Sequence, residues 1–117
     1  MGENIPALTM NVRRPNEAVS VIDVDGEVTA ASESTLTDSF GVASEGAKVV
    51  VFNFTDLDYM NSSGIGLLVT VLIRAQRQDQ KLMAFGLNDH YRQIFMLTRL
   101  DEAIAIFDDE EAVLAAV

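Results

Sequence analysis

A chain of 117 residues with an apolar fraction of 49% is one domain's worth of sequence, enough to bury a single core. Its net charge of −10, from 18 acidic and 8 basic residues, repels nucleic acid and anionic membrane and favours a basic partner surface, so no nucleic acid and no membrane is expected among its partners. Without cysteine there are no disulfides or thiolate metal sites; with no bilayer-length apolar run, an acidic start (MGENIPALTM) in place of a basic leader, and Pro6 where a myristoylation pattern wants Ser or Thr, a cytoplasmic protein is expected.

Residues 7–14, ALTMNVRR, alternate loosely and read as an edge strand that leads into a turn at Pro15-Asn16. From Ala18 to Val24, Val19 and Val21 face one way against Ser20, Ile22 and Val24, which predicts a second strand, antiparallel to the first, ending at Asp25-Gly26 and extended or resumed by Glu27 and Val28. Thr29 to Ala43 reads as a weakly amphipathic surface helix. Thr29 is its N-cap, Glu33 lies in its first turn, Leu36 and Phe40 stand four apart, and its end falls near Gly41 or Gly46.

In Lys48 to Phe54 the residues Val49, Val50, Val51 and Phe52 are apolar in succession and Phe54 follows after Asn53, the pattern of a central strand buried on both faces. Thr55, Asp56 and Asp58 then read as a short loop. The chain passes through Asn61-Ser62-Ser63-Gly64 into a helix whose inward stripe is Ile65, Leu68, Val69, Leu72 and Gln76. Lys81 to Phe85 is a further strand, closed by Gly86. Asn88 caps a helix in which Tyr91, Ile94, Phe95 and Leu97 or Thr98 recur at helical spacing, Ala103 to Phe107 is a fifth strand, and Asp108 to Glu111 opens a last helix with acids at its dipole-positive end. The order β-β-α-β-α-β-α-β-α predicts an α/β domain: a mostly parallel five-stranded sheet with an N-terminal antiparallel hairpin and four helices.

Nothing in this order assembles an ordinary hydrolase. The single histidine, His90, sits in the first turn of a predicted helix with no nucleophile beside it in sequence. Asn61-Ser62-Ser63-Gly64 lacks the first glycine of a nucleophile elbow, and neither a G-x-G-x-x-G nor a G-K-[ST] phosphate loop is present. Asp56 and Asp58 have no histidine or third carboxylate near them in sequence, so they read as solvated acids, with a magnesium site as the alternative. No catalytic residue, cofactor or metal is expected. What remains is the strand-to-helix stretch, where a helix start offers unpaired N–H groups and a positive dipole end beside two hydroxyls. One of Ser62 and Ser63 can cap the helix while the other faces solvent. A phosphoryl group on such a hydroxyl brings a charge of about −1.5 to −2; the helix N–H groups stabilise it, Asp56 and Asp58 repel it, and it can switch binding off without unfolding the domain.

The segment FNFTDLDYMNSSGIGLL (Phe52 to Leu68), with the element order and the later KLMAFGL and IFMLTRLDEAIAIF, resembles the STAS domain of bacterial anti-sigma factor antagonists. The resemblance runs from about Leu8 to Leu114, so residues 1–117 read as a single STAS domain. It implies a non-enzymatic partner-switching module. In that family the unphosphorylated antagonist binds an anti-sigma factor with serine kinase activity, of the histidine-kinase-like ATPase fold, and so releases the sigma factor; phosphorylation blocks binding and a metal-dependent PP2C-type phosphatase restores it. Ser62 matches the family's phosphorylated serine, and Ser63 is a second candidate. Asn61 departs from the Asp that many members carry, which removes a negative charge beside the acceptor while keeping a capping oxygen. The partner-binding residues expected are Asp56, Asp58, Met60, Asn61, Ser62, Ser63, Gly64, Ile65, Leu67, Val71 and Arg74, with Leu67 and Val71 as an apolar patch beside Ser62 and with Arg74 and Arg77 as its basic rim. A monomer or weak homodimer is expected. Two other readings stay open. One is a constitutive STAS scaffold or a partner-switching regulator with a non-sigma output; the other is a nucleotide or small-molecule binding domain, or a weak phosphohydrolase using Asp56 and Asp58, which needs a concave pocket at the Ser62 loop.

Overall fold

Two long strands, β2 (Val19–Val28) and β3 (Val49–Met60), form the middle of a five-stranded sheet in a computed structural model that describes residues 6–117. Residues 1–5, the start of the stretch read against a leader and the myristoylation pattern, lie outside the described residues. β1 (Leu8–Arg13) pairs antiparallel with the outer side of β2, while β4 (Lys81–Phe85) and β5 (Ile104–Phe107) continue the sheet in parallel beyond β3, giving the order β1-β2-β3-β4-β5. Four helices connect or follow the strands: α1 (Glu33–Ser44), α2 (Ser62–Arg77), α3 (Asp89–Leu97) and α4 (Glu110–Ala116). The predicted architecture is therefore the observed one.

The unbroken apolar run at the start of β3 serves two cores. Val50, Phe52 and Phe54 join Ile22 and Val24 in the larger one, where Leu36 and Phe40 of α1, Leu68 of α2 and Phe95 of α3 pack on them. Val49 and Val51 join Val19 and Val21 on the other side of the sheet, where Val113 of α4 packs. Strand alternation sends successive side chains to opposite faces, so a strand covered on both sides is apolar at nearly every position; the exception, the half-buried Asn53, donates to Asp23 Oδ1.

The segment from Thr55 to Met60 corrects the expected loop: it continues β3. Asp56 pairs with Asp25, Leu57 with Gly26, Tyr59 with Glu27 and Met60 with Val28, across two register shifts. Its backbone is satisfied by β2, which runs on through Gly26 to Val28, the extension that Glu27 and Val28 offered. Gly26 has φ +115, and a Cβ on it would stand 2.1 Å from the carbonyl oxygen of Ala7, so only glycine lets the chain through. The helix expected from Thr29 begins as a 3₁₀ turn, Ala30–Ser32, closed by a capping box between Thr29 and Ser32, and α1 follows from Glu33 through Gly41 to Ser44. In α3 the buried positions are Tyr91 and Phe95, whereas Leu97 and Thr98 are exposed because the helix ends there.

Candidate functional site

β3 delivers the chain to the start of α2 and holds it at three points. The buried Met60 N–H donates to Tyr91 Oη of α3 at 2.9 Å. The next amide, Asn61 N–H, donates to the Val28 carbonyl at 3.3 Å. Asn61, in extended backbone, then turns its side chain so that Oδ1 accepts from Gly64 N–H at 3.0 Å, the N-cap bond of α2. Gly64 is buried against the end of β2, where a Cβ would lie 2.2 Å from the Val28 carbonyl oxygen.

This geometry corrects the assignment of the cap. Of the two candidates the sequence offers, a serine hydroxyl and the Asn61 oxygen, Asn61 supplies it, because both serines are already inside the first turn. Ser62 and Ser63 are exposed, and among the hydrogen bonds of the described residues neither side chain takes part. The site thus presents two free hydroxyls at the positive end of a sixteen-residue helix.

The outward face of α2 also differs from expectation. Its inward side is Gly64, Leu68, Val71, Leu72 and Ala75; Val71 is only 5% exposed. Ile65 and Leu67 are half-buried and pack against the larger core. Arg74 places its guanidinium 5.2 Å from the centroid of the Phe40 ring, so it covers α1 and does not form a rim. The outward stripe is instead Ser62, Gly66, Val69 and Ile73, spaced by four, three and four residues, with Val69 37% and Ile73 45% exposed and the exposed Arg77 beyond. Val69 and Gln76, read as inward, are both exposed. The repeat was present in the sequence, but a helix apolar on most sides offers several stripes of equal merit, and only its packing against α1 and the sheet selects one.

Asp56 and Asp58 are exposed on the last part of β3, as is Glu27 on β2 beside it; Met60 is buried, so its role is to anchor the loop from below. Among the described residues no group of three or more His, Asp or Glu is arranged to hold a metal ion. Of three cavities, of about 630, 390 and 380 Å³, the second is bordered by Asp58 together with Asp25 and Glu27, and none is bordered by Ser62. The concave pocket that nucleotide binding needs at the Ser62 loop is not among them. His90 is exposed at the start of α3. No helix of the described residues is long and apolar enough to cross a membrane.

Residues 9–113 match the STAS domain family over its characteristic sheet, helices and strand-to-helix loop. The chain belongs to the STAS domain family. An anti-sigma-B factor antagonist from Staphylococcus aureus is 27% identical over 67 residues, which is 57% of this chain and 62% of the relative, so this STAS domain spans less than two thirds of that relative's length. The crystal structure of an anti-sigma factor antagonist from Mycobacterium paratuberculosis superposes with a TM-score of 0.79 at 21% identity, covering 94% of this chain and 93% of the other. The Bacillus cell fate determinant SpoIIAA in its phosphorylated form superposes with a TM-score of 0.71 at 18% identity, covering 93% and 100%. At these identities the structures share the STAS fold.

Proposed function

We propose that this STAS domain is an anti-sigma factor antagonist. It docks the outward stripe of α2 on an anti-sigma factor with serine kinase activity while Ser62 is unmodified, and phosphorylation of Ser62 Oγ ends the complex. The observation that carries this reading is the division of labour at the helix start: Asn61 caps α2, which leaves the Ser62 hydroxyl exposed at the head of an apolar stripe. The structural relatives include antagonists, one of them named in a phosphorylated form.

A phosphate on Ser62 would sit beside the free N–H groups of the first turn, which tolerate it, so the fold survives modification. A partner covering Val69 and Ile73 would have to strip water from that dianion, which costs far more than covering a hydroxyl. Asp56 and Asp58 add like charge on the same end of the sheet. The kinase transfers the γ-phosphoryl group of ATP to Oγ, and a PP2C-type phosphatase removes it by hydrolysis.

The test is capture of the partner on the unmodified protein, followed by addition of Mg·ATP. One phosphate is expected, mapped to Ser62 by mass spectrometry and still present in Ser63→Ala. Ser62→Ala should hold the partner as well as wild type, and Ser62→Glu should weaken it by tenfold or more, about 1.4 kcal/mol. Unchanged binding by Ser62→Glu together with an unmodified Ser62 would overturn the switch.

A further inference from the structure

Lys48 and Lys81 are the only lysines of the chain, and both border the same cavity of about 630 Å³. It lies at the end of the sheet opposite Ser62, where the parallel strands β2, β3 and β4 begin. Lys81 N–H donates to the Lys48 carbonyl at 3.0 Å and Lys81 pairs in register with Val49, so Lys48, just before β3, and Lys81, the first residue of β4, are neighbours. The floor between them is apolar, made by Val19, Val49 and Met83, with Leu114 of α4 as a wall. α4 has only seven residues and lies over β4 and β5; Val19 and Val49 are buried beneath the cavity, and the half-buried Ala18, Met83 and Leu114 are the apolar side chains left open to it.

The charge at this cavity runs against the rest of the molecule. The ion pairs among the described residues use Arg13, Arg92 and Arg99, and neither lysine takes part in one. The one acidic side chain on the cavity's border is the exposed Asp79, and the amide oxygen of Asn16 is already occupied by the N–H groups of Ala18 and Val19. Two free ammonium groups over an apolar floor are complementary to an anion with a hydrocarbon tail. Two point-charge donors match the two oxygens of a carboxylate, one each, and leave the further oxygens of a phosphate or sulfate head without a charged partner, which favours a carboxylate head. The volume falls in the range of small-ligand sites, about 300–1,000 Å³.

The geometry points to a binding site for a single-chain alkyl carboxylate, its head between Lys48 and Lys81 and its chain laid over Val19, Val49 and Met83 towards Leu114. The site is independent of the Ser62 surface, and both can be occupied at once.

Titration of the full chain with decanoate below its micellar concentration, followed by amide and methyl NMR shifts, tests this. Saturable shifts are expected at Val19, Val49, Met83 and Leu114 and not at Val69 or Ile73. Lys48→Gln with Lys81→Gln, both at exposed positions, should weaken decanoate by about tenfold or more, as expected for losing charged contacts to a carboxylate. Decanol, with the tail and no charge, should bind wild type and the double variant equally weakly. Met83→Glu should abolish decanoate binding by placing a carboxylate on the floor. Absence of saturable shifts, shifts centred on the α2 stripe, or equal decanoate affinity in the lysine variant would each overturn the proposal. So would shifts at these residues on dilution without decanoate, accompanied by a fall in mass, which would show a second copy of the chain in the cavity.

Discussion

Gly64 and Gly66 stand two residues apart in α2 and meet opposite surroundings. A Cβ on Gly64 would lie 2.2 Å from the Val28 carbonyl oxygen and 2.8 Å from its carbon, so the end of β2 or the helix start must move. A Cβ on Gly66 meets nothing within 4 Å. Alanine in place of glycine inside a helix gains roughly 0.5–1 kcal/mol by restricting the unfolded chain. At Gly66 that gain should appear whole. At Gly64 overpacking against backbone, typically about 1–3 kcal/mol, should exceed it. Urea unfolding of the two variants is therefore expected to move the midpoint in opposite directions with an unchanged slope; a stabilised Gly64→Ala would mean that the close approach to β2 is relaxed in solution. Asn61, Ser62 and Gly64 were legible as a helix start from type and order alone, but which of them caps was not. That depends on the extended backbone of Asn61, fixed by the Val28 and Tyr91 hydrogen bonds from distant parts of the chain.

At the scale of elements, α4 has too few residues to persist on helix propensity, so tertiary contacts hold it. Val113 supplies the apolar one. The polar one is Arg13, whose Nη2 donates to Glu110 Oε1 at 2.7 Å while Nε and Nη2 donate to the two oxygens of Asp23 at 2.6 and 2.9 Å; Asn53 Nδ2 adds a bond to Asp23 Oδ1 at 2.9 Å. These donors, Arg13 foremost, hold the Asp23 carboxyl below its ordinary value of 3.8 against the opposing effect of burial. The unfolded chain then binds a proton at a pH where the folded one does not. The stabilisation is complete above the ordinary value and is lost as pH falls through the lower folded value. Asp23→Asn should cost about 1 kcal/mol at neutral pH, the scale of a charge-assisted bond partly open to water, and should flatten the decline of stability below about pH 4. An unaltered acid limb in that variant would show that Asp23 is not linked to folding. The same scale explains the misread loop. Val49 to Phe54 announces a strand through its apolar run, but Thr55 to Met60 carries no such signal, since its strand state comes from pairing with β2 beyond Gly26. Likewise the apolar residues of α2 marked a helix, while the direction of its outward stripe waited on Arg74 lying over Phe40.

Across the whole molecule, charge is sorted along the strands. The exposed carboxylates Asp25, Glu27, Asp56 and Asp58 gather on the strand ends that lead to Ser62, and both lysines stand at the opposite ends. A basic partner approaching a chain of net charge −10 is steered by this field towards the Ser62 end. Steering acts on encounter, not on the docked complex, so it belongs to the association rate and fades when the Debye length shrinks from about 30 Å at 0.01 M salt to about 8 Å at 0.15 M. If Asp56 and Asp58 steer, Asp56→Asn with Asp58→Asn should slow association several-fold at low salt, leave dissociation unchanged, and become indistinguishable from wild type as salt rises; a stopped-flow series with the captured partner reads all three. If they lie within the docked surface instead, dissociation accelerates and the difference persists at high salt. The first outcome confines the contact to the α2 stripe of Gly66, Val69 and Ile73, and the second extends it across the end of β3.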